Sequence, residues 1–335
     1  MTPFNSTKML SGEQGIVDAI SLLKSGQCVA LPTETVYGLA ADATIPSAVL
    51  KIFAAKKRPE SHPLIVHIPD QSHLTRWAEQ LPACVKPLAD AFWPGPLTMI
   101  LKAKTGLNNP VTGGLHTIGL RVPANALFLK ILTELDTGLA APSANSYKQL
   151  SPIAPEQVIN DLNGRIAAVL DGGKCSYGIE STILEVTDQT LRILRPGPIS
   201  AVEIEQVTGL TVAVPLKHNE IVPGNVSAHY QPNTPTTLIS LEQLITEINE
   251  HDNDKTHYLV YSKAAIDALL FKHVPINNIT CLAEEPHDYA KNLYDSLHQI
   301  DKHSCLTILV EQPPQEQAWS AVNDRLSRAA STYIG

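Results

Sequence analysis

Residues 28–39 read Cys-Val-Ala-Leu-Pro-Thr-Glu-Thr-Val-Tyr-Gly-Leu. An apolar run, Cys28–Leu31, stops at Pro32 and passes straight into hydroxyls, a carboxylate and a glycine. The run has the length of a buried strand, and a proline cannot donate to a sheet ladder, so the strand ends there. Upstream, Ile16, Ile20 and Leu23 recur at helical spacing over 12–24, with Ser11 placed as an N-cap and Gly26 as a stop. Downstream, Val49, Ile52 and Phe53 share one face of a helix over 46–57, and Leu64–Ile68 again reads as a strand. Alternating elements of this kind point to an α/β domain. Ligands of open α/β sheets bind beyond the carboxyl ends of the strands, which is where Thr33–Tyr37 would lie. A turn capped by hydroxyls accounts for the same residues.

The pattern continues along the chain. Strands are expected at 97–102, 117–122, 138–141, 166–170, 179–186 and 191–195. Helices are expected at 72–80, 83–92, 124–135, 155–162 and 200–208. Together these predict a catalytic domain over 10–210, built on a twisted, mixed open sheet with helices. Residues 211–235 are rich in Pro, Asn and His and show no period, so they read as a linker or active-site lid. Over 236–335 strands (236–240, 257–261, 278–282, 305–310) alternate with helices (241–250, 263–272, 287–300, 317–331). That is a small βαβ domain of Rossmann-like type.

Composition bounds the function. Residues 1–210 carry 17 Lys+Arg against 18 Asp+Glu, and residues 211–335 carry 8 against 15. A dedicated nucleic-acid binder shows a basic face and a high pI, whereas this chain has a net charge of −8. The five cysteines are odd in number, scattered and without a CxxC pair, which fits a reducing cytosol better than a disulfide framework or zinc site. No stretch has the apolar length of a membrane span, and the start does not read as a signal peptide. No Walker A, GxGxxG, HExxH or GxSxG motif occurs, so any nucleotide must be held by an unusual cradle.

Several constellations carry chemistry. Lys56-Lys57-Arg58 closes a helix just before His62 and His67. The three cations suit either the helix dipole, worth about 0.3–1 kcal/mol, or a triphosphate clamp. Phe92-Trp93-Pro94-Gly95-Pro96 is most simply a rigid turn with an aromatic anchor. Arg121 ends the strand Thr117–Val122, where an arginine is costly to bury without an anion, so a ligand carboxylate would suit it. Ser143 and Asn145 follow another strand end, and Arg195 sits at a third, facing either an anion or a surface carboxylate. His229-Tyr230-Gln231-Pro232 offers an aromatic to stack on a base or to anchor the loop.

In order along the chain, PTETVYGL, KKRPESHPLIVH, FWPGPLT, GLRVP, APSAN, ESTI and LRPG resemble the YrdC family of threonylcarbamoyl-AMP synthases, in its long form with an added C-terminal domain. The resemblance implies an enzyme that joins L-threonine, bicarbonate and ATP into threonylcarbamoyl-AMP, releasing pyrophosphate. A partner transferase complex would then modify the adenosine beside the tRNA anticodon. It implies that Thr35, His67, Arg121, Ala141 and Ser181 hold threonine. Lys56, Arg58, His62, Thr117, Ser143, Asn145, Ser151, Arg195 and Tyr230 would lie around ATP, with Lys56, Arg58, Ser143 and Asn145 closest to the chemistry. His62 stands where the family often has Asn. Mg2+ is expected on the ATP phosphates, with no dedicated protein metal site. Little or no direct tRNA binding, no membrane association and a cytoplasmic location are also expected. An RNA-binding module, carbamoyl-phosphate chemistry in metalloenzyme maturation and an adenylate sensor are the competing readings. The absence of CxxC motifs disfavours the second.

Overall fold

The computed structural model describes residues 6–107, 109–215, 222–223, 230–248, 250, 252–330 and 332–334. The chain forms two compact units, Met1–Tyr147 with Ser151–Asn225, and Lys148–Leu150 with Val226–Gly335. Much of 211–235, the expected lid, lies outside the described residues.

In chain order the first unit runs β1 (Lys8–Leu10), α1 (Gly12–Lys24), β2 (Val29–Leu31), β3 (Gly38–Asp42), α2 (Pro46–Lys56), β4 (Ile65–His67), α3 (Leu74–Trp77), α4 (Val85–Phe92), β5 (Leu97–Lys102) and α5 (Asn109–Thr112). It continues with β6 (Thr117–Arg121), α6 (Ala126–Leu135), β7 (Leu139–Ala140), α7 (Pro155–Leu162), β8 (Ala168–Leu170), β9 (Thr182–Val186), β10 (Leu191–Arg195), α8 (Ala201–Thr208) and β11 (Val212–Ala213). All these strands join one mixed sheet, in the order β1-β8-β2-β3-β7-β4-β6-β5-β9-β10-β11. The central strand β4 pairs parallel with β6 and antiparallel with β7.

The local chemistry explains the elements that frame the site. Helix α1 starts after Ser11, whose backbone is extended but whose side chain makes no capping bond, and it stops at Ser25–Gly26 with Gly26 at φ +70°. Helix α2 begins at Pro46, which needs no N–H there, and ends where Lys57 turns left-handed at φ 55°. Asn125 opens α6 by accepting from the N–H groups of Leu127 and Phe128. The faces of α1 and α6 meet the sheet through Ile16, Ala19, Leu23, Phe128, Ile131 and Leu132, packed with Val29, Leu31, Leu139 and Leu170. Each such Val, Leu, Ile or Phe side chain contributes about 1.5–3 kcal/mol of burial.

The second unit contains β12 (Thr236–Ile239), α9 (Leu241–Glu247), β13 (Thr256–Val260), α10 (Lys263–Phe271), β14 (Ile279–Cys281), α11 (Pro286–Ile300), β15 (Thr307–Glu311), α12 (Ser320–Ala329) and β16 (Thr332–Ile334). Its five strands are all parallel, in the order β14-β13-β15-β12-β16, so each connection is a crossover helix. Capping by Ser240 with Gln243 and by Ser262 fixes the starts of α9 and α10. Strands β1, β3, β11 and β16 were not expected from sequence. Three of them have only two or three residues, too few to show a period, and β3 (Gly-Leu-Ala-Ala-Asp) lacks the branched residues that mark strands.

Candidate active site

The turn from β2 to β3 is organised by a hydroxyl. Thr33 Oγ1 accepts from the N–H groups of Thr35 (3.0 Å) and Val36 (3.1 Å), stands 2.8 Å from Thr35 Oγ1, and hydrogen-bonds the Val36 carbonyl. This hydroxyl-capped turn fixes Glu34 and Thr35 beyond the carboxyl end of β2. Strand β6 then delivers Arg121, whose backbone pairs with His67 of β4 in parallel register, so the two side chains share a face. Arg121 donates from Nη1 to Thr35 Oγ1 (3.1 Å), from Nε to the Gly95 carbonyl (3.1 Å) and from Nη2 to Glu34 Oε1 (2.5 Å). The buried arginine therefore has an internal counter-ion, Glu34, where the sequence left only a ligand carboxylate for that place. Glu34 and Arg121 are both buried.

His67 completes this corner. Its ring stacks on Phe128 at 5.2 Å, and burial followed by the charge of Arg121 pushes its pKa well below the usual histidine value, so it is neutral at neutral pH. Ala141 follows β7 and donates its N–H to Ile65 O. A Cβ on Gly38 would come within 3.2 Å of the Ala141 methyl, so glycine lets β3 lie close against this strand end.

The loop after Ala141 is anchored from below. Lys56 Nζ donates to the carbonyls of Ser143 and Asn145, each at 2.5 Å. The Lys56 amine thus holds the loop that carries Ser143 and Asn145. Burial, then Arg58, drives its pKa well below the usual lysine value. Asp161 of α7 accepts from Ser146 N and Ser146 Oγ, and Arg165 joins Ser146 Oγ to the Ala55 carbonyl. Ser143 and Asn145 are therefore presented on a loop fixed from two helices. Arg58 donates from Nη2 to Pro63 O at 3.0 Å, and His62 meets Tyr147 edge-on at 5.6 Å. Burial, then Arg58, lowers the His62 pKa.

On the far side of the sheet centre, Ser181 lies just before β9 and Arg195 at the end of β10. Ser181 Oγ is 2.8 Å from Thr98 Oγ1, and Arg195 holds Ser181 by its carbonyl (2.8 Å) and hydroxyl (3.1 Å). A Cβ on Gly197 would fall 2.4 Å from Thr182 N, so only glycine allows this close crossing. Ser151 donates to Glu180 Oε1 at 2.5 Å. Arg195 Nη1 also donates to Pro223 O at 3.1 Å. Pro223 and Val222 line a small cavity with Pro63, Ile65, Thr117 and Gly119.

These contacts bring together Thr35, His67, Arg121 and Ala141, then Lys56, Ser143 and Asn145, and then Ser151, Ser181 and Arg195. Pro63 lies against both Arg58 and the cavity wall that Thr117 shares. Tyr230 belongs to the second unit, where it is buried with its ring 5.8 Å from Tyr294 and under the Arg325 guanidinium. Glu34, Gly95, Thr98, Asp161 and Glu180 were not singled out from sequence. Glu34, Gly95, Thr98 and Glu180 lie inside strings that carry the resemblance, and Asp161 lies outside them. Among the described residues, no group of three His, Cys, Asp or Glu could hold a metal ion, and no helix is long and apolar enough to cross a membrane.

The chain is similar to known proteins over nearly its whole length. A family described as telomere recombination (Sua5/YciO/YrdC) matches residues 21–197, and a threonylcarbamoyl-AMP synthase C-terminal domain matches residues 199–331. Threonylcarbamoyl-AMP synthase of Bacillus subtilis is 36% identical, covering 98% of this chain and 96% of that protein. The protein of that name from Pyrococcus abyssi is 33% identical, covering 94% of each. The crystal structure of P. abyssi Sua5 complexed with L-threonine superposes with a TM-score of 0.87 at 30% identity, covering 98% of this chain and all of that one. With its matched first domain, its matched C-terminal domain and full-length relatives, the chain belongs to the Sua5/YciO/YrdC family and has the long, two-domain form.

Proposed function

We infer that the protein is a threonylcarbamoyl-AMP synthase. It converts L-threonine, bicarbonate and ATP into L-threonylcarbamoyladenylate, pyrophosphate and water, for threonylcarbamoyladenosine formation in tRNA. The observation that carries this reading is the full-length match to synthases of that name, joined to a buried Arg121–Glu34–Thr35–His67 corner in the first unit.

The chemistry sets two anions against each other, because a carbamate must approach the α-phosphate of ATP. Arg58 and Arg195 are the guanidinium groups that offset this charge as it develops. Arg121, with Thr35, Ser181 and His67, receives the amino acid, and Ala141 closes the same corner. Ser143, Asn145, Ser151, Thr117 and His62 border the nucleotide, and Lys56 acts by fixing the loop that carries two of them. Tyr230 is assigned to the nucleotide through the family resemblance. Mg2+ enters as part of the nucleotide substrate, on phosphate oxygens, in keeping with its reluctance to shed water for protein ligands. Catalysis then rests on positioning and neutralisation.

The second unit, with its parallel sheet and crossover helices, reads as Rossmann-like. Five free cysteines fit a reducing cytoplasm. The product is passed to a transferase complex, with little direct tRNA contact, which the overall negative charge favours. Mass spectrometry of a reaction containing ATP, threonine and bicarbonate tests the assignment. The adenylate is expected only when all three are present, and pyrophosphate release without threonine would reject it.

A further inference from the structure

Among the described residues of the first unit, Glu34 Oε2 and Trp77 Nε1 are buried polar atoms without a hydrogen-bond partner in residues that the family resemblance leaves without a role, and of the two only Glu34 bonds a residue expected to hold threonine. Glu34 is 7% exposed, and its Oε1 accepts from Arg121 Nη2 at 2.5 Å. Its Oε2 is fully buried and makes no hydrogen bond. A buried carboxylate oxygen without a donor is costly, and native structures nearly always give such an atom a partner.

The neighbours of that oxygen identify the donor it lacks. Arg121 uses one N–H on each of its three nitrogens, for Gly95 O, Thr35 Oγ1 and Glu34 Oε1, and each terminal nitrogen keeps a second N–H. A carboxylate seated on those remaining N–H groups lies beside Glu34. The other groups bonded to Arg121 carry no charge, since Thr35 contributes a hydroxyl and Gly95 a carbonyl, and the neighbouring His67 is held neutral. One fixed cation next to one fixed anion, both buried, matches a zwitterion. It matches a simple carboxylic acid less well, because Glu34 would repel the carboxylate without gaining a donor. The terminal torsion of a glutamate is broad, so Oε2 can turn toward a ligand while Oε1 stays on Arg121.

We propose that Glu34 binds the amino group of threonine through Oε2 while it orients Arg121 for the carboxylate, and so selects an α-amino acid over an α-hydroxy acid. The inference rests on the threonine site proposed above.

Calorimetric titration of the full chain with L-threonine and with (2S,3R)-2,3-dihydroxybutanoate, which has hydroxyl in place of the amine, tests this. The wild-type protein is expected to prefer threonine by about tenfold or more, in line with a charge-assisted hydrogen bond. E34Q keeps an oxygen for Arg121 and loses the charge. It is expected to lose that preference, with threonine binding weakened and hydroxy-acid binding within about twofold of wild type. E34D, which retains the charge, is expected to keep part of the preference, and it serves as the test should E34Q fail to fold. Equal weakening of both ligands by E34Q would mean that Glu34 acts only through Arg121 and would overturn the proposal. So would an E34D protein that binds the hydroxy acid normally and shows no preference. Failure of the wild-type protein to bind threonine at all is a different result, and it would overturn the threonine site itself.

Discussion

Lys56 Nζ, at the end of helix α2, stands 2.5 Å from the carbonyl oxygen of Asn145, 89 residues further along. It makes an equal bond to Ser143 O, and it is almost wholly buried. The side chain is therefore a strut between a helix end and the Ala-Pro-Ser-Ala-Asn loop. This arrangement also suits a lysine whose pKa is depressed, because even a neutral amine has two N–H groups for two carbonyls.

Replacing Lys56 by methionine keeps most of the apolar stem and strips both carbonyls of their donor. Each buried unsatisfied group costs about 1–3 kcal/mol. K56M is expected to lose roughly 2–4 kcal/mol and to melt roughly 5–15 °C lower. Because Ser143 and Asn145 ride on the freed loop, the KM for ATP should rise more than the dissociation constant for threonine. Melting curves and steady-state kinetics at saturating threonine check both parts. An unchanged KM for ATP in a folded variant would show that the loop does not border the nucleotide.

Arg58 differs from Lys56 in what it holds. Its Nη2 holds the Pro63 carbonyl, and the planar fork stays oriented toward the His62–Pro63 turn. As the guanidinium that offsets developing phosphate charge, its loss should act on the transition state. R58A is expected to slow pyrophosphate release by about 100-fold or more, the usual loss for a charge-stabilising group. The measurement is initial-rate pyrophosphate release at saturating substrates. A wild-type rate would remove Arg58 from the chemistry.

How far such roles could be read in advance depended on distance along the chain. The order of helices and strands was legible because Ile16, Ile20 and Leu23, or the run at 28–31, announce their partners' face through a local period. Strand β3 was hidden because its small residues look like the continuation of a polar turn. The strand-end positions of Arg121, Ser143 and Arg195 were visible, since each follows an apolar run. Their partners were not. Glu34 meets Arg121 across 87 residues, and Lys56 meets Asn145 across 89, and neither pairing leaves a mark on periodicity or composition. The Lys-Lys-Arg run looks like a solvated helix end until the structure shows that Lys56 and Arg58 are buried while Lys57 is exposed.

In the second unit, His257 gives a pH prediction. It is 3% exposed, bonds Thr280 Oγ1 through Nε2 at 2.8 Å, and lies with its ring centroid 5.9 Å from that of His303, tilted by 33°. Burial, then the His303 charge, brings its pKa down to about 4. In the unfolded chain it titrates near the ordinary histidine value of about 6.5. The folded state therefore binds fewer protons in this window. The contribution is fully present above pH ~6.5 and is lost as pH falls toward 4, amounting to about 1–3 kcal/mol. Urea unfolding at pH 7 and pH 4.5 should show a smaller drop for H257N than for wild type, since carboxylate titration is common to both. An equal drop in the two proteins would contradict the assignment.

Where the first unit stops can be decided from Val222. Its side chain is buried in a cluster with Ile65, Ile100, Ile183 and Leu194, and the next residue's carbonyl receives Arg195 Nη1. A chain ending at residue 225 keeps this cluster covered and keeps Arg195 tethered, so it is expected to fold and melt cooperatively. A chain ending at 210 also loses β11 and uncovers the four apolar side chains. Removing one buried valine's worth of contact costs about 1.5–3 kcal/mol, and losing the Arg195 bond to a carbonyl adds about 1.5–3 kcal/mol. The shorter chain should therefore melt roughly 5–15 °C below the longer one and bind a hydrophobic dye more strongly. V222A in the full chain provides the control for the apolar part alone, because it leaves the Pro223 carbonyl in place. If the chains ending at 210 and 225 melted at the same temperature, the Val222–Pro223 segment would contribute nothing to the sheet it covers.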